Sequence, residues 1–210
     1  MSGIEIDRVC NQLSHISHSD WVAIKFEKQI PVKNSMTVRF CEAVYNAQKQ
    51  DISLSPLDIC CDGAKRCFGW LKNYDIKLAH RLAEKIGITQ KSALELIKSV
   101  PVQKEMYSGL SLSRHANGDV YISYANPESA MKLIRYWQKA TGCNLETEIS
   151  SIMSVCGNIA VKSYIDQKIS ISFGCPDSRE YGGIKEGQLV MGIPHSIACQ
   201  LCRVESKINI

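Results

Sequence analysis

The segment VYISYANPESAMKLIRYWQKATG, residues 120–142, joins a strand pattern to a helix pattern. Its first part, Val120–Tyr124, is rich in the β-branched and aromatic residues that favour strands. Pro127 then stands where proline begins helices well, the apolar residues after it recur at helical spacing, and Gly142 is suited to end the helix. The segment therefore predicts a strand that leads directly into a helix.

The same alternation extends along the rest of the chain. Strands are predicted at 21–26, 36–40, 51–61, 168–173 and 189–194, and helices at 4–16, 41–50, from about 63, at 76–99 with a break near 88, at 151–164 and after 195. No low-complexity linker divides the chain. We therefore expect a single globular domain over residues 1–210, of the α/β or α+β class, in which a mixed sheet packs against helices.

Composition and charge exclude several classes of partner. The chain has 210 residues, is 45% hydrophobic and carries a net charge of +4, with 25 basic residues spread among 21 acidic ones. No basic stripe with interleaved aromatic residues is present, so we expect no nucleic acid partner. The N-terminus lacks the pattern of a secretory signal, and no apolar run approaches the roughly 18 residues of a membrane helix. We therefore expect a cytoplasmic protein with no membrane partner.

The ten cysteines are the unusual feature of the composition. In a reducing cytoplasm they are not expected to form disulfides, which leaves burial, metal binding or redox chemistry as their use. Three of them lie close together in DICCDGAKRCFGW, residues 58–70, around an Asp-Gly turn. That clustering raises the question of whether they form one local site.

A short internal repeat instead links distant cysteines. In the first half, Cys41 opens a helical stretch, a strand-like DISLS follows, and the chain reaches Cys61. In the second half, Cys156 opens a helical stretch, KISIS follows, and the chain reaches Cys175 after an interval that differs by one residue. Short amphipathic segments also resemble one another by chance, so this internal repeat is a hypothesis.

Two equivalent units would bring four thiols together. Packed about a pseudo-twofold axis, over about residues 20–75 and 118–195, each unit would offer one cysteine at a helix start and one at a strand end. The positive end of a helix dipole favours a thiolate, which is the form that binds metals. We therefore expect these thiols to converge on one site.

Several segments carry a resemblance to a known family. The chain resembles the family catalogued as domain of unknown function 169, which occurs mostly in archaea and anaerobic bacteria, and the similarity runs from about Val22 to Pro194. The segments that carry it are VAIKF (22–26), RFCEAVYNAQ (39–48), CDGAKRCFGW (61–70), NPESAMKLIRYW (126–137), SSIMSVCGN (150–158) and SFGCPDSREYGGIKEGQLVMGIP (172–194). The family has no settled activity, so the resemblance points to a site without naming a reaction.

The resemblance also implies which residues form that site. The recurring cysteines and basic residues of the family match Cys41, Cys61, Cys156, Cys175, Lys25, Arg39 and Arg179. With no two of these cysteines close together in sequence, an iron-sulfur cluster, [4Fe-4S], is favoured over zinc. The basic residues are candidate contacts to an anion or substrate. A purely buried role for the thiols remains open, since free cysteine is among the most buried residue types.

The remaining cysteines have weaker claims. Cys60 could replace Cys61 if the strand register differed by one residue. Cys199 and Cys202 form a lone Cys-x-x-Cys on a predicted helix, for which helix packing is preferred to a redox pair or half of a metal site. Cys67 is expected to lie in the core.

The main hypothesis is an iron-sulfur protein for electron transfer or anaerobic redox chemistry, with a redox partner protein or a small anionic substrate. The alternatives are a thiol-dependent or sulfur-transfer enzyme without a metal, and a module that binds zinc or a small molecule. The residues leave open the substrate, the oligomeric state and whether the protein is an enzyme.

Overall fold

The structure is a computed structural model that describes residues 8–30 and 37–208. In these ranges a seven-stranded sheet has the order β2-β3-β1-β4-β7-β6-β5. The strands are β1 (Trp21–Glu27), β2 (Ile52–Leu54), β3 (Gly109–Ser113), β4 (Val120–Ala125), β5 (Ile149–Ser150), β6 (Ser170–Ser172) and β7 (Leu189–Pro194). Neighbouring strands are antiparallel except β5 and β6, which are parallel. The predicted mixed sheet is therefore confirmed.

Helices cover both faces of this sheet. They are α1 (Arg8–Ser17), α2 (Phe40–Asn46), α3 (Asp62–Cys67), α4 (Asp75–Ile86), α5 (Gln90–Ser99), α6 (Pro127–Thr141), a π-helix (Ser154–Val161), α7 (Lys162–Asp166), α8 (Pro176–Tyr181) and α9 (His195–Ile208). None of the helices in the described ranges combines the length and apolar character needed to cross a membrane. The first helix is described only from residue 8, so the start of the predicted helix 4–16 lies outside the described residues.

The strand and helix predicted from the segment 120–142 are both present. Asn126 caps the start of α6 by accepting a hydrogen bond from the N–H of Ser129 at 2.8 Å, and Pro127 follows at the first helical position. Gly142 ends the helix in the left-handed conformation, with a φ of +71°. Local sequence therefore determines this strand-to-helix connection.

The central strands separate two apolar layers because side chains alternate between the faces of a strand. In β1, Val22 and Ile24 face a layer that contains α2, α3 and the π-helix. Trp21 and Ala23 face the opposite layer, formed by α1, α6 and α9. The predicted candidate cysteines all lie on elements that belong to the first layer or border it.

The hairpin of α4 and α5 is attached to the first layer by a buried arginine. Arg66 of α3 is 5% exposed, and its Nε donates to Asp75 Oδ1, in the first residue of α4, at 2.6 Å. Its Nη1 donates to the carbonyl oxygen of Val100, just after α5, at 3.0 Å. One side chain therefore holds both ends of the hairpin.

With the edge strand β5 set aside, the first strand in sequence lies at the centre of the sheet in both halves, the third lies next to it and the second lies outside the third. From the centre outward, the strands are β1, β3 and β2 on one side and β4, β7 and β6 on the other. However, β3 lies beyond the predicted first half, residues 20–75, and the α4–α5 hairpin has no counterpart after β6. The internal repeat therefore stays a prediction.

The strand expected at residues 36–40 is not formed. Met36 lies outside the described residues, and Val38 makes only an isolated bridge with Ile59. Helix α2 already begins at Phe40, where Glu42 Oε2 accepts from the N–H of Arg39 at 3.4 Å. The capping interaction at the helix start therefore overrides the strand pattern.

Arg66→Gln tests the attachment of the hairpin. We expect the free energy of unfolding to fall by about 1–3 kcal/mol, because a charged donor to Asp75 and Val100 is lost. Hydrogen exchange, followed by mass spectrometry, should accelerate in α4 and α5 more than in α6. Arg81→Gln, which removes a more exposed cation, is the control; equal effects of both substitutions on α4 and α5 would contradict the assignment.

Candidate functional site lined by cysteines

A cavity of about 520 Å³ lies between the α4–α5 hairpin and the helices on one face of the sheet. Five cysteines line it: Cys41, Cys61, Cys156 and Cys175, which we call the cavity cysteines, and the exposed Cys60. The cavity cysteines belong to separate elements of the fold and are distant in sequence. The structure therefore gathers all of the predicted candidate cysteines around one space.

Each cavity cysteine stands at the start of a helix. Cys41 is the second residue of α2, and Cys156 is the third residue of the π-helix. Cys61 and Cys175 are the N-cap residues of α3 and α8. Because the first N–H groups of a helix have no partner within it, helix starts supply hydrogen-bond donors to whatever lies in front of them.

Backbone N–H groups act on three of these sulfurs, and at Cys41 the donor is the N–H of Glu42. The N–H groups of Ala64 and Gly63 favour the thiolate form of Cys61. At the other N-cap, the Cys175 side chain accepts from the N–H of Ser178, while Ser178 Oγ accepts from the N–H of Cys175 at 2.7 Å. The first turns of α3 and α8 therefore present donors to the cavity.

Burial nevertheless keeps three of these thiols protonated. Burial, with the charges of Cys175 and Cys61, raises the pKa of Cys41 to about 12. A hydrogen bond with Cys67, together with burial, raises the pKa of Cys156, and burial raises that of Cys61. A thiol whose pKa is raised holds its proton at neutral pH, unless a bound cation takes the place of the proton.

The cavity cysteines do not form a ready-made site for a single ion. In the described part of the chain, no three His, Cys, Asp or Glu side chains are grouped in a way that could hold a metal ion. A structural zinc would require four ligands close around one point, with each sulfur about 2.3 Å from the ion. The thiols share a cavity without that arrangement.

A further thiol, that of Cys67, lies directly behind the cavity. Cys67 is fully buried, its thiol hydrogen-bonds with that of Cys156, and its Sγ is 3.6 Å from Sδ of Met153. A Cβ atom at Gly157 would lie 2.8 Å from Cys67 Sγ and 2.4 Å from Cγ1 of Val100. The predicted burial of Cys67 is confirmed, and the glycine after Cys156 is the sequence signal that could have indicated this close approach.

The π-helix begins at a strained residue. Met153 has a φ of +39°, in the left-handed region that costs a non-glycine residue about 1 kcal/mol. The turn that follows is fixed by Asn158, whose Nδ2 donates to the carbonyl oxygen of Ile152 at 2.6 Å. Met153 itself lines the cavity. Strained residues and π-helical turns recur at functional sites, and both occur here beside the cavity.

The hairpin contributes an apolar wall that the sequence did not predict. Two turns of α4 and one position of α5 place aliphatic side chains along the cavity. We call these side chains the hairpin wall: Leu78, Leu82, Ile86 and Ile97. The hairpin therefore covers the cavity cysteines with hydrocarbon.

Asp177 holds two cations at the mouth of the cavity. Arg39 Nη1 lies 2.8 Å from Asp177 Oδ2, and the Arg39 guanidinium stacks 4.4 Å from the ring centre of Tyr181. Lys85 of α4 donates to the other carboxylate oxygen of Asp177. All three charged side chains line the cavity, and each is partly exposed.

A second ion pair ties the hairpin to the cysteine-bearing turns. Arg81 Nη2 lies 2.7 Å from Asp62 Oδ2. Asp62 directly follows Cys61, and Asp177 stands two residues after Cys175. The hairpin is therefore linked to the helix starts that present these cysteines.

The predicted basic residues separate into different places. Arg39 lines the cavity, whereas Lys25 and Arg179 do not. Lys25 is exposed on β1 with its Nζ 3.4 Å from Glu27 Oε1. Arg179 donates to backbone carbonyl oxygens of Phe173, Lys185 and Gln188. Arg179 therefore fastens the segment that carries Cys175 instead of facing the cavity.

The remaining cysteines are also placed. Cys60 is exposed and borders the cavity beside Cys61. Cys202 of α9 is packed in the core on the opposite face of the sheet. Cys199 of the same helix has its Sγ 3.4 Å from Nε2 of His195. The Cys-x-x-Cys pair is therefore remote from the cavity.

The family comparison agrees with the resemblance carried by these residues. The family model for domain of unknown function 169, described as "Uncharacterised ArCR", matches residues 18–203. The chain belongs to this family. It is also similar to the uncharacterized protein MJ0308 of Methanocaldococcus jannaschii, with 23% identity over 165 residues, which are 74% of this chain and 71% of that protein. No solved structure matches the chain.

Thiol labelling of the metal-free protein tests the electrostatics. At pH 8, iodoacetamide should modify the exposed Cys143 well before Cys41, since each unit by which a thiol pKa is raised lowers the thiolate fraction about tenfold. Because the pKa of Cys41 is raised to about 12, its labelling rate should keep rising well above pH 9. Peptide mass spectrometry measures both rates, and equally fast labelling at pH 8 would contradict the described burial.

Proposed function

We propose that this chain binds an iron-sulfur cluster, [4Fe-4S], through the cavity cysteines, and that it serves electron transfer or redox chemistry in the cytoplasm. The observation that best supports the proposal is that four thiols from separate helix starts border one cavity. Iron-sulfur clusters are held by cysteine thiolates whose positions in the sequence vary widely.

The donor set fits such a group. Soft thiolate ligands select zinc, copper(I) and iron-sulfur clusters over harder ions. Cys41 and Cys61 each feel the charge of Cys175, so their thiolates would repel one another in an empty cavity. Positively charged irons would remove that repulsion, and the N–H groups at the helix starts would stabilise the ligating sulfurs.

The sequence spacing of the cavity cysteines favours a cluster over a structural zinc ion. Structural zinc sites typically contain ligand pairs separated by about two to four residues, whereas successive cavity cysteines are at least 19 residues apart. A cluster contains several metal ions, and each thiolate binds a different one, so its ligands need not come in such pairs.

The surrounding residues have separate tasks in this proposal. When bound, the cluster would supply one-electron transfer. The hairpin wall would exclude water from it, and the Arg39 cation would favour the reduced, more negative form. A redox partner protein or a small anionic substrate would then approach the mouth.

Anaerobic purification and chemical analysis test this proposal. Wild-type protein should be brown and contain iron and acid-labile sulfide in equal amounts. Alanine in place of each cavity cysteine in turn should remove most of the iron, because each variant loses one ligand. Cys143→Ala and Cys199→Ala, at cysteines outside the cavity lining, are the matched controls and should retain it, with circular dichroism confirming that every variant is folded.

The proposal fails on either of two results. One is wild-type protein that is colourless and free of iron after anaerobic purification. The other is a Cys156→Ala variant with unchanged iron and sulfide. Bound zinc in place of iron would favour the zinc-binding alternative.

A thiol-dependent or sulfur-transfer enzyme is the second candidate. It is favoured by the position of Cys61, which is partly exposed at the cavity with Arg39 and the N–H groups of Gly63 and Ala64 near it. Such an enzyme requires one thiol that reacts much faster than the others. In the labelling experiment above, Cys61 would then react before the exposed Cys143.

A further inference from the structure

The cavity has a second wall, which supplies no ligand to the proposed cluster. The hairpin wall is aliphatic and belongs to different elements from the cavity cysteines. One of its members, Ile86, is 41% exposed although it is large and apolar. Water-exposed hydrocarbon at the edge of a cavity is a feature of ligand sites, since a bound apolar group would cover it.

The charges at the mouth are unequal in number. Among the lining residues there are three cations, Arg39, Arg81 and Lys85, but two carboxylates, Asp62 and Asp177. Arg81 has Asp62 as its partner, whereas Arg39 and Lys85 share Asp177.

Glu180, outside the lining, also acts on Lys85 and accepts a hydrogen bond from the hydroxyl of Tyr181. Within the lining, Arg39 and Lys85 together therefore carry one positive charge more than Asp177, the partner that they share.

The size of the cavity also fits a ligand. Small-molecule sites have volumes of about 300–1,000 Å³, are mostly apolar and carry a few polar groups that fix orientation. The cavity, at about 520 Å³, lies within that range. It combines a hydrocarbon wall and two cations that share one partner.

We propose that the cavity binds a small amphipathic anion, namely a carboxylate with a short aliphatic chain. The carboxylate would lie between Arg39 and Lys85, and the chain would lie along the hairpin wall, next to the cavity cysteines. If this ligand is the substrate, the inference rests on the proposed function and names its substrate class. As a ligand it depends only on the wall and on the charges at the mouth.

Four small probe molecules test the apolar contact and the charged contact of the ligand separately. Calorimetry on the full chain, purified anaerobically, should detect binding of hexanoate. Acetate lacks the chain, hexan-1-ol lacks the charge and hexylammonium carries the wrong charge. Each of these three should bind at least about tenfold more weakly, since each loses one of the two recognition elements.

Substitutions on one helix provide matched controls. Lys85→Gln should weaken hexanoate binding about tenfold, because it removes a charged hydrogen-bond donor. Ile86→Ala should weaken it about threefold while leaving acetate unaffected, because only the chain loses its contact. Lys77→Gln and Ile76→Ala, at exposed positions of α4 outside the lining, should bind hexanoate as the wild type does.

The outcomes also distinguish this inference from the cluster. Equal affinity for hexanoate and hexan-1-ol, or equal effects of Lys85→Gln and Lys77→Gln, would overturn it. Iron and sulfide are measured on the same samples. A protein that holds iron but not hexanoate overturns this inference alone, whereas one that binds hexanoate but no iron removes the cluster and supports the ligand site.

Discussion

Removal of thiols from water is the constraint on which the candidate site depends. A thiolate in an apolar layer loses its hydration, and a second thiolate nearby raises the cost further. The fold meets this by placing each cavity cysteine at the start of a helix, where N–H groups have no helical partner. The N–H donors offset part of the cost of burying a thiolate. Because they do not offset all of it, the thiols with a raised pKa stay protonated. A group that supplies positive charge would complete the compensation.

The position of the hairpin follows from ion pairs at the same helix starts. Asp62 and Asp177, in the first turns of α3 and α8, hold Arg81 and Lys85 of α4. Arg66 of α3 hydrogen-bonds with Asp75 and Val100, at the two ends of the hairpin. Exposed ion pairs contribute little individually, so the buried arginine carries more of the attachment. The same turns that present sulfur to the cavity therefore also position its cover.

The sequence alone predicts the parts of this architecture that local patterns encode. The strand and helix of residues 120–142 follow from β-branched residues, a helix-starting proline and a terminal glycine. The four cysteines follow from their repeated setting and from the family resemblance. The hairpin wall depends on tertiary packing, which no local pattern specifies. The contact of Cys67 with Cys156 also depends on tertiary packing, and Gly157 signals a close approach there without naming the partner. Arg179 illustrates the same limit, since its donors go to backbone carbonyls that only the folded loop brings together.

Gly157 has a consequence for how this sequence can vary. Any side chain there would collide with Val100 and with the sulfur of Cys67. The three positions are therefore not independent: a larger residue at 157 becomes tolerable only after the other two positions become smaller. Substitutions at these sites should accumulate in a fixed order, with the space opened first and filled afterwards. A relative that lacks this glycine should lack the thiol of Cys67 as well.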